Sequence, residues 1–263
     1  MKQIAEHITS SGSNGISEVG EGTSERTSKV PGKEEIRELN QQFDGVGTEQ
    51  ILVWVRKEFG DNAALGTGFG PSGVVLAHIV AKKGLNIPIF YLDTSLFFKQ
   101  TYELRDELEQ ELGISFIRVS TGLSLEDQEK EYGTELWKRD PNKCCYLRKV
   151  LPLKRYLSDK SAWITGVRRS QSDVRKNTQH FEWDPQNEVL KINPLATWTS
   201  EEVWTYIHLN ELPYNPLHDD GYPSIGCIPC THPVRPGDHE RAGRWLGLDK
   251  TECGIHLPTQ NND

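Results

Sequence analysis

No stretch of the chain is apolar for long enough to cross a membrane: the longest run, near Val74 to Val80, is far short of the roughly 20 residues a spanning helix requires. The N-terminus has no basic region followed by an apolar core, so no secretory signal is expected. Cysteine is scarce, at five in 263 residues, too few for a disulfide scaffold at this size, and a reducing cytoplasm is the natural compartment. Positive charge is not in excess either. A net charge of -8 argues against a general nucleic-acid binder, so an anionic ligand would have to meet a local basic patch.

The few cysteines are unevenly placed. Cys144 and Cys145 are adjacent, Cys227 and Cys230 form a C-x-x-C, and Cys253 stands alone near the end of the chain. A C-x-x-C in an intracellular protein reads as a structural zinc half-site or a redox dithiol. The tandem pair adds a third reading, because zinc takes ligands from spaced pairs whereas adjacent cysteines diverge and suit the larger face of an iron–sulfur cube. Four sulfurs are then available to one site. The fifth, Cys253, is followed by His256 and preceded by Arg241 and Arg244, a setting for a nucleophile, although a lone cysteine can equally be inert.

Taken in order, residues 1–32 are rich in Ser, Gly, Thr and Glu and are expected to form a disordered tail, since they cannot bury enough apolar surface to offset ordering entropy. Two amphipathic helices follow, one carrying Ile36, Leu39 and Phe43, the other opening at Thr48. Ala63 to Gly66 then reads as a strand, Thr67-Gly68-Phe69-Gly70-Pro71-Ser72-Gly73 as a glycine loop, and Val74 to Val80 as a buried helix. Such a loop lets backbone N–H groups approach a phosphate or sulfate, although a bare tight turn is an equal reading. It is read as neither a P-loop with its G-K-S/T ending nor a dinucleotide fingerprint, which weakens ordinary kinase and dehydrogenase assignments. A strand from Ile87 to Leu92 ends in Asp93-Thr94, where open sheets bind ligands; a helix cap is the alternative for Asp93. Further strands are expected at Ile114 to Val119, Ala162 to Gly166, Gln179 to Trp183 and Val189 to Ile192, with helices between, so a parallel sheet covered on both faces follows. Arg168 opens a basic stretch reaching Arg175 and Lys176, suited to an anion or simply solvated.

Five separated blocks carry a family resemblance: Lys143-Cys144-Cys145, Gly166-Val167-Arg168-Arg169, Cys227-x-x-Cys230-Thr231, Glu240-Arg241-Ala242-Gly243-Arg244-Trp245 and Glu252-Cys253-Gly254-Ile255-His256. From about residue 40 onward the chain resembles the assimilatory adenylyl-sulfate reductases, in the branch that carries an iron–sulfur cluster. The resemblance implies an α/β, parallel-sheet fold like the adenine nucleotide α-hydrolases, Rossmann-like. It implies a reductase domain over 33–236 and a mobile C-terminal segment, 237–263, that carries the catalytic cysteine. It implies a 4Fe-4S cluster on Cys144, Cys145, Cys227 and Cys230, with Cys253 attacking the sulfur of adenosine 5′-phosphosulfate. Thr67, Gly68, Phe69, Gly70, Ser72, Asp93, Thr94, Lys143, Arg168, Arg241, Arg244 and His256 become the substrate-binding set. No thioredoxin-like domain follows Cys253, so a separate thioredoxin or glutaredoxin-like protein is the expected reductant; a homo-oligomer is left open, and no nucleic-acid or membrane partner is expected. The loop departs from the family's Ser-rich form and Ser95 stands where glycine is common, which bears on recognition of the ribose 3′ position. The 3′-phosphorylated nucleotide is therefore an alternative substrate. An ATP-pyrophosphatase-type sulfurtransferase would show an S-G-G-x-D-S loop, which Thr67 to Ser72 does not supply; a zinc-stabilised binding module with Cys253 inert is the non-enzymatic alternative.

Overall fold

The computed structural model describes residues 31–248 and 250–256. Nearly all of the expected tail over 1–32, and the last residues of the expected C-terminal segment, lie outside the described residues. Two helices come first, α1 (Lys33–Gln42) and α2 (Thr48–Phe59), as the amphipathic spacing requires. Then β1 (Ala63–Thr67), α3 (Pro71–Lys82), β2 (Ile89–Asp93), α4 (Lys99–Leu112) and β3 (Phe116–Ser120) alternate. Three short helices follow, α5 (Leu125–Tyr132), α6 (Leu136–Arg139) and α7 (Pro141–Cys145). A widened π turn over Tyr146–Val150 joins α7 to α8 (Leu151–Leu157). Pro152 has no N–H to offer the Arg148 carbonyl one turn earlier, and a widened turn relieves the clash a proline otherwise imposes there. The remaining elements are β4 (Ala162–Ile164), β5 (Phe181–Asp184), β6 (Val189–Ile192) and α9 (Ser200–Leu209).

The strands form one sheet in the order β3-β2-β1-β4-β6-β5. All neighbours run parallel except β5, which pairs antiparallel with β6 through Phe181↔Ile192 to Asp184↔Val189. The expectation of a parallel sheet is corrected at that edge, where the link between the strands is too short for anything but a hairpin. Side chains alternate between the faces as strand periodicity demands. Ala63, Leu65, Ile89, Tyr91 and Ile164 join the larger core with Ile51, Leu52, Val74, Leu76 and Val203. Ala64, Phe90 and Trp163 point the other way, onto Leu153 and Leu157 of α8. Each fully buried leucine or isoleucine contributes about 1.5–3 kcal/mol relative to exposure, so these apolar strands can be stable only with helices on both sides.

The order reverses between β1 and β4, the place where open α/β sheets open a crevice at their carboxyl ends. The irregular C-terminal third folds over that crevice. Backbone bridges Phe97↔Cys227 and Thr231↔Arg244 fasten it to the loop after β2 and to itself. Gly243 lies against the His232 carbonyl so closely that a Cβ would sit 2.0 Å from the oxygen, which only glycine allows. Among the described residues no helix is long and apolar enough to cross a membrane.

Candidate active site

The crevice is a cleft of about 240 Å³. Its floor is the end of β1 and the glycine loop: Thr67, Gly68, Gly70 and Ser72 line it, and α3 begins behind them with Pro71 in its first turn. The reading of the loop as no dinucleotide fingerprint is corrected: Gly68-x-Gly70-x-x-Gly73 has that spacing, and its last glycine serves the same packing purpose, since a Cβ on Gly73 would lie 2.4 Å from Thr67 Oγ1. Phe69 does not face the cleft. It takes a left-handed backbone conformation at φ 58 and packs its ring on Tyr91 and Phe116 at 5.2 and 5.0 Å, so its side chain belongs to the core.

Cations form the walls. Arg168 is 3% exposed and is held by Ser72 Oγ at 2.9 Å and by Glu240 at 3.3 Å. Arg241 and Arg244 line the opposite wall with their guanidiniums 5.3 and 4.8 Å from the Trp245 ring. Burial pushes Arg241 down to about 10, with Arg175 and Arg244 adding to the shift, so it stays charged at neutral pH. Its Nε is buried without an acceptor, a donor that an anion in the cleft could satisfy. Lys149, which the sequence reading missed, lines the cleft as well. Burial works against its charge but is outweighed by Cys227, Cys253 and Cys145, which raise its pKa.

Cys253 lies in this cleft and is 7% exposed. A hydrogen bond from Cys145 is the largest influence lowering its pKa; burial opposes it, and Lys149, the Ile255 backbone N–H and Arg244 assist. The other four cysteines line a second, smaller cavity, walled also by Thr94, Trp137, Arg148, Lys149 and Trp245. Burial first, then Cys227 and Cys230, push the Cys144 thiol up to about 11, and burial likewise raises Cys230. Thiols so disposed are poor nucleophiles. The chain thus divides its sulfurs between two compartments, with Lys149 facing both. Arg148, 1% exposed, donates to Gln128 Oε1 at 2.7 Å and to the Thr94 carbonyl at 3.0 Å. Among the described residues no three His, Cys, Asp or Glu side chains converge closely enough for a single metal ion.

Three more expected ligands fall elsewhere. Asp93 is occupied by Arg118 at 2.6 Å, by the Tyr102 hydroxyl at 2.7 Å and by the Ser95 N–H at 2.8 Å, and it does not line the cleft. Thr94 faces the cysteine cavity, its Oγ1 3.3 Å from Cys227 Sγ. Lys143 sits 5.3 Å from the Tyr132 ring and lines neither cavity. His256 does line the cleft, stacked on Trp163 at 5.2 Å. Burial, then Arg175, Lys191, Arg241 and Lys149, hold its pKa well below the usual histidine value, so it faces the cleft as a neutral ring. Besides Lys149, the sequence reading missed Glu240 and Glu252 as cleft residues; Arg175 had been noted only as part of a basic stretch. Its signal was that stretch after β4, and for Lys149 it was helical spacing from Cys145.

His218, at the edge of the cleft, has both ring nitrogens buried, and burial, opposed by the Tyr222 backbone and Asp219, lowers its pKa to about 4. The folded chain therefore binds fewer protons there than the unfolded chain, and stability must rise with pH between about 4 and the ordinary 6.5. Urea midpoints measured across that window should climb toward neutrality, and His218→Phe should flatten the slope. An unchanged slope in the variant would show that His218 titrates normally.

A family model described as the phosphoadenosine phosphosulfate reductase domain matches residues 62–233. A protein of Salinibacter ruber named adenosine 5′-phosphosulfate reductase is 53% identical over 226 residues, 86% of this chain and 90% of that one. A protein of Bacillus subtilis named adenosine 5′-phosphosulfate reductase 2 is 47% identical, over 78% of this chain and 88% of its own. Among solved structures, the phosphoadenylyl-sulfate reductase of Candida auris, in a phosphate complex, aligns with a TM-score of 0.69 at 29% identity, covering 77% of this chain and 98% of that one. The doubly covered sheet, the cleft at its order reversal and these matches agree: the chain belongs to the family of the phosphoadenosine phosphosulfate reductase domain.

Proposed function

We propose that the protein reduces adenosine 5′-phosphosulfate to sulfite and AMP in assimilatory sulfate reduction, through a covalent sulfonate on Cys253. One observation carries this reading: of five buried cysteines, only Cys253 opens on the cleft that holds the glycine loop and Arg168, Arg241 and Arg244. The thiolate of Cys253 attacks the sulfur of the substrate, the bond from sulfur to the bridging oxygen breaks, and AMP leaves with both electrons of that bond. Negative charge builds on the departing phosphate and on the sulfonate oxygens, and cations in a water-poor cleft stabilise it more strongly than they could in water. Lys149, Arg168, Arg241 and Arg244 are the groups available for that. A protein dithiol of the thioredoxin or glutaredoxin class then attacks the Cys253 sulfur. Sulfite leaves with the electrons of the S–S bond, a mixed disulfide remains, and the second thiol of the partner resolves it, so that the partner is oxidised to a disulfide and Cys253 returns as a thiol.

Cys144, Cys145, Cys227 and Cys230 would hold a 4Fe-4S cluster. Four thiols in one enclosed cavity suit it, and a cube takes one thiolate per iron, whereas a single zinc needs its ligands converged on one point. Such a group supplies a fixed frame and local field when bound, since the two thiols of the partner already provide both electrons. Buried Arg148, with no carboxylate partner among its hydrogen bonds, supplies positive charge beside the thiolates. The 3′-phosphorylated nucleotide is the second reading, favoured by the likeness to the 29% identical phosphoadenylyl-sulfate reductase of Candida auris. Turnover of the two nucleotides by anaerobically purified protein with reduced thioredoxin decides between them. The unphosphorylated substrate is expected to give kcat/KM higher by roughly 10–200-fold, the discrimination that pocket fit alone provides; equal values would show a pocket indifferent to the 3′ position. A cytoplasmic setting, where such dithiols are kept reduced, completes the reading.

A further inference from the structure

Glu252, immediately before Cys253, is a buried carboxylate at 7% exposure, and the reaction as derived makes no use of it. Its two oxygens are divided between arginines from distant parts of the chain. Oε2 accepts from Arg175 at 2.7 Å, on the loop that follows β4; Oε1 accepts from Arg241 at 2.8 Å and from the Cys253 backbone N–H, also at 2.8 Å. One carboxylate thus ties the sheet side of the cleft, the Arg241 turn and the main chain of Cys253 together. Its neighbour in the cleft, Glu240, cannot substitute, being engaged by Arg168 and by Ser200 Oγ at 2.9 Å.

We propose that Glu252 is a positioning residue, the latch that docks the segment carrying Cys253 onto the cleft and sets the direction of its thiol. The inference rests on the reading of Cys253 as nucleophile. Three physical points support it. Without the carboxylate, Arg175 and Arg241 become two buried like charges with nothing between them, and removing one partner of a buried ion pair leaves an uncompensated charge that the structure relieves by opening. The Cys253 N–H also loses its acceptor, and buried donors are rarely left unpaired. Finally, the segment's other ties are uncharged packing contacts: Cys253 packs with Cys227, Cys230 and Trp245, Ile255 beside Leu92, Val119 and Tyr156, and His256 stacks on Trp163. Two guanidiniums against one carboxylate leave a net positive charge at the cleft wall, so the latch holds the segment without neutralising the site. Burial opposes ionisation of Glu252, but Arg175 and Arg241 hold its pKa below the ordinary value, and the pair is intact at neutral pH.

The test uses the iron-loaded enzyme, anaerobic, with iodoacetamide as probe and mass spectrometry of the peptide 251–263, in which Cys253 is the only cysteine. Glu252→Gln keeps the shape and one acceptor oxygen but removes the charge. Labelling of Cys253 is expected to rise about tenfold or more, as the open population grows, with iron content unchanged. The single-turnover rate of sulfonate formation should fall about 100-fold with little change in KM, the signature of lost orientation rather than lost binding. Glu252→Asp, which restores the charge at shorter reach, should lie between. Labelling raised by less than about threefold overturns the proposal. If Glu252→Gln does not fold, Arg175→Gln removes the same pair from the sheet side, with the same two outcomes. Failure of the nucleophile reading would look different, since wild-type protein would then form no sulfonate on Cys253 whatever the labelling rates.

Discussion

Cys253→Ser should fold, keep the iron content of the wild type and bind nucleotide, with sulfite release lower by about six orders of magnitude, the scale seen when a covalent nucleophile is removed. Serine is nearly isosteric, and the site that receives it is already built: the Glu252 carboxylate accepts from the backbone of residue 253, not from its side chain, so the docking of the segment survives the change. What is lost is chemistry. Of the influences that lower the Cys253 pKa, Cys145 first and then Lys149 and Arg244, the two cations persist once Cys145 is a cluster thiolate, and they act on a thiol that is already within reach of ionisation. A serine hydroxyl begins so much higher that the same field leaves it protonated, and among the described residues no carboxylate or imidazole is hydrogen-bonded to the side chain of residue 253 to remove the proton. The His256 ring is stacked on Trp163 instead. Sulfite release by the serine variant at more than about a hundredth of the wild-type rate would place the nucleophile elsewhere.

Replacing any one of Cys144, Cys145, Cys227 or Cys230 by Ser should instead remove iron and activity together. These four share one cavity, and the cavity is held by the same contacts that fasten the C-terminal third: Ile228 N–H to the Leu96 carbonyl at 2.8 Å, and Trp245 N–H to the Cys230 carbonyl at 3.2 Å. Metal bound to a folded site contributes its binding free energy to folding, so the loss should reach the fold. A loss of even about 3 kcal/mol lowers Tm by roughly 6–12 °C in a domain of this size. Cys145 is expected to show the largest effect on sulfonation, because it also touches Cys253. Full iron and sulfide content in all four single variants would remove the cluster from the account, whereas stoichiometric zinc in the wild type would favour a structural ion.

Much of the fold could be read in advance because the pattern is strongly local. Strand, glycine loop and buried helix follow one another from Ala63 to Lys82 with little in between, and alternation of apolar runs with amphipathic segments leaves few arrangements other than a covered sheet. The antiparallel edge escaped because periodicity does not carry direction; only the short link between β5 and β6 does. The division of the cysteines into four and one was also legible, since spacing alone separates Cys253 from the two pairs. What adjacency could not give was orientation. Lys143 precedes Cys144 directly and therefore points away around the helix, toward Tyr132, whereas Lys149 lies four residues after Cys145, close to the same face, and reaches both cavities. Asp93 ends a strand as a ligand-binding acid does, but Phe90 and Leu92 are the β2 residues on the cleft side, and the period of two turns Asp93 toward Arg118 on β3. The Glu252 to Arg175 pair joins residues 77 positions apart, a contact that no local pattern encodes.

The central claim is that Cys253 receives the sulfonate, and intact-mass and peptide mass spectrometry of wild-type enzyme mixed with adenosine 5′-phosphosulfate in the absence of reductant tests it most directly. The account requires one added sulfonate on the peptide 251–263, released as sulfite when reduced thioredoxin is added. A sulfonate on Cys144, Cys145, Cys227 or Cys230, or turnover with no protein adduct at any time, would contradict it.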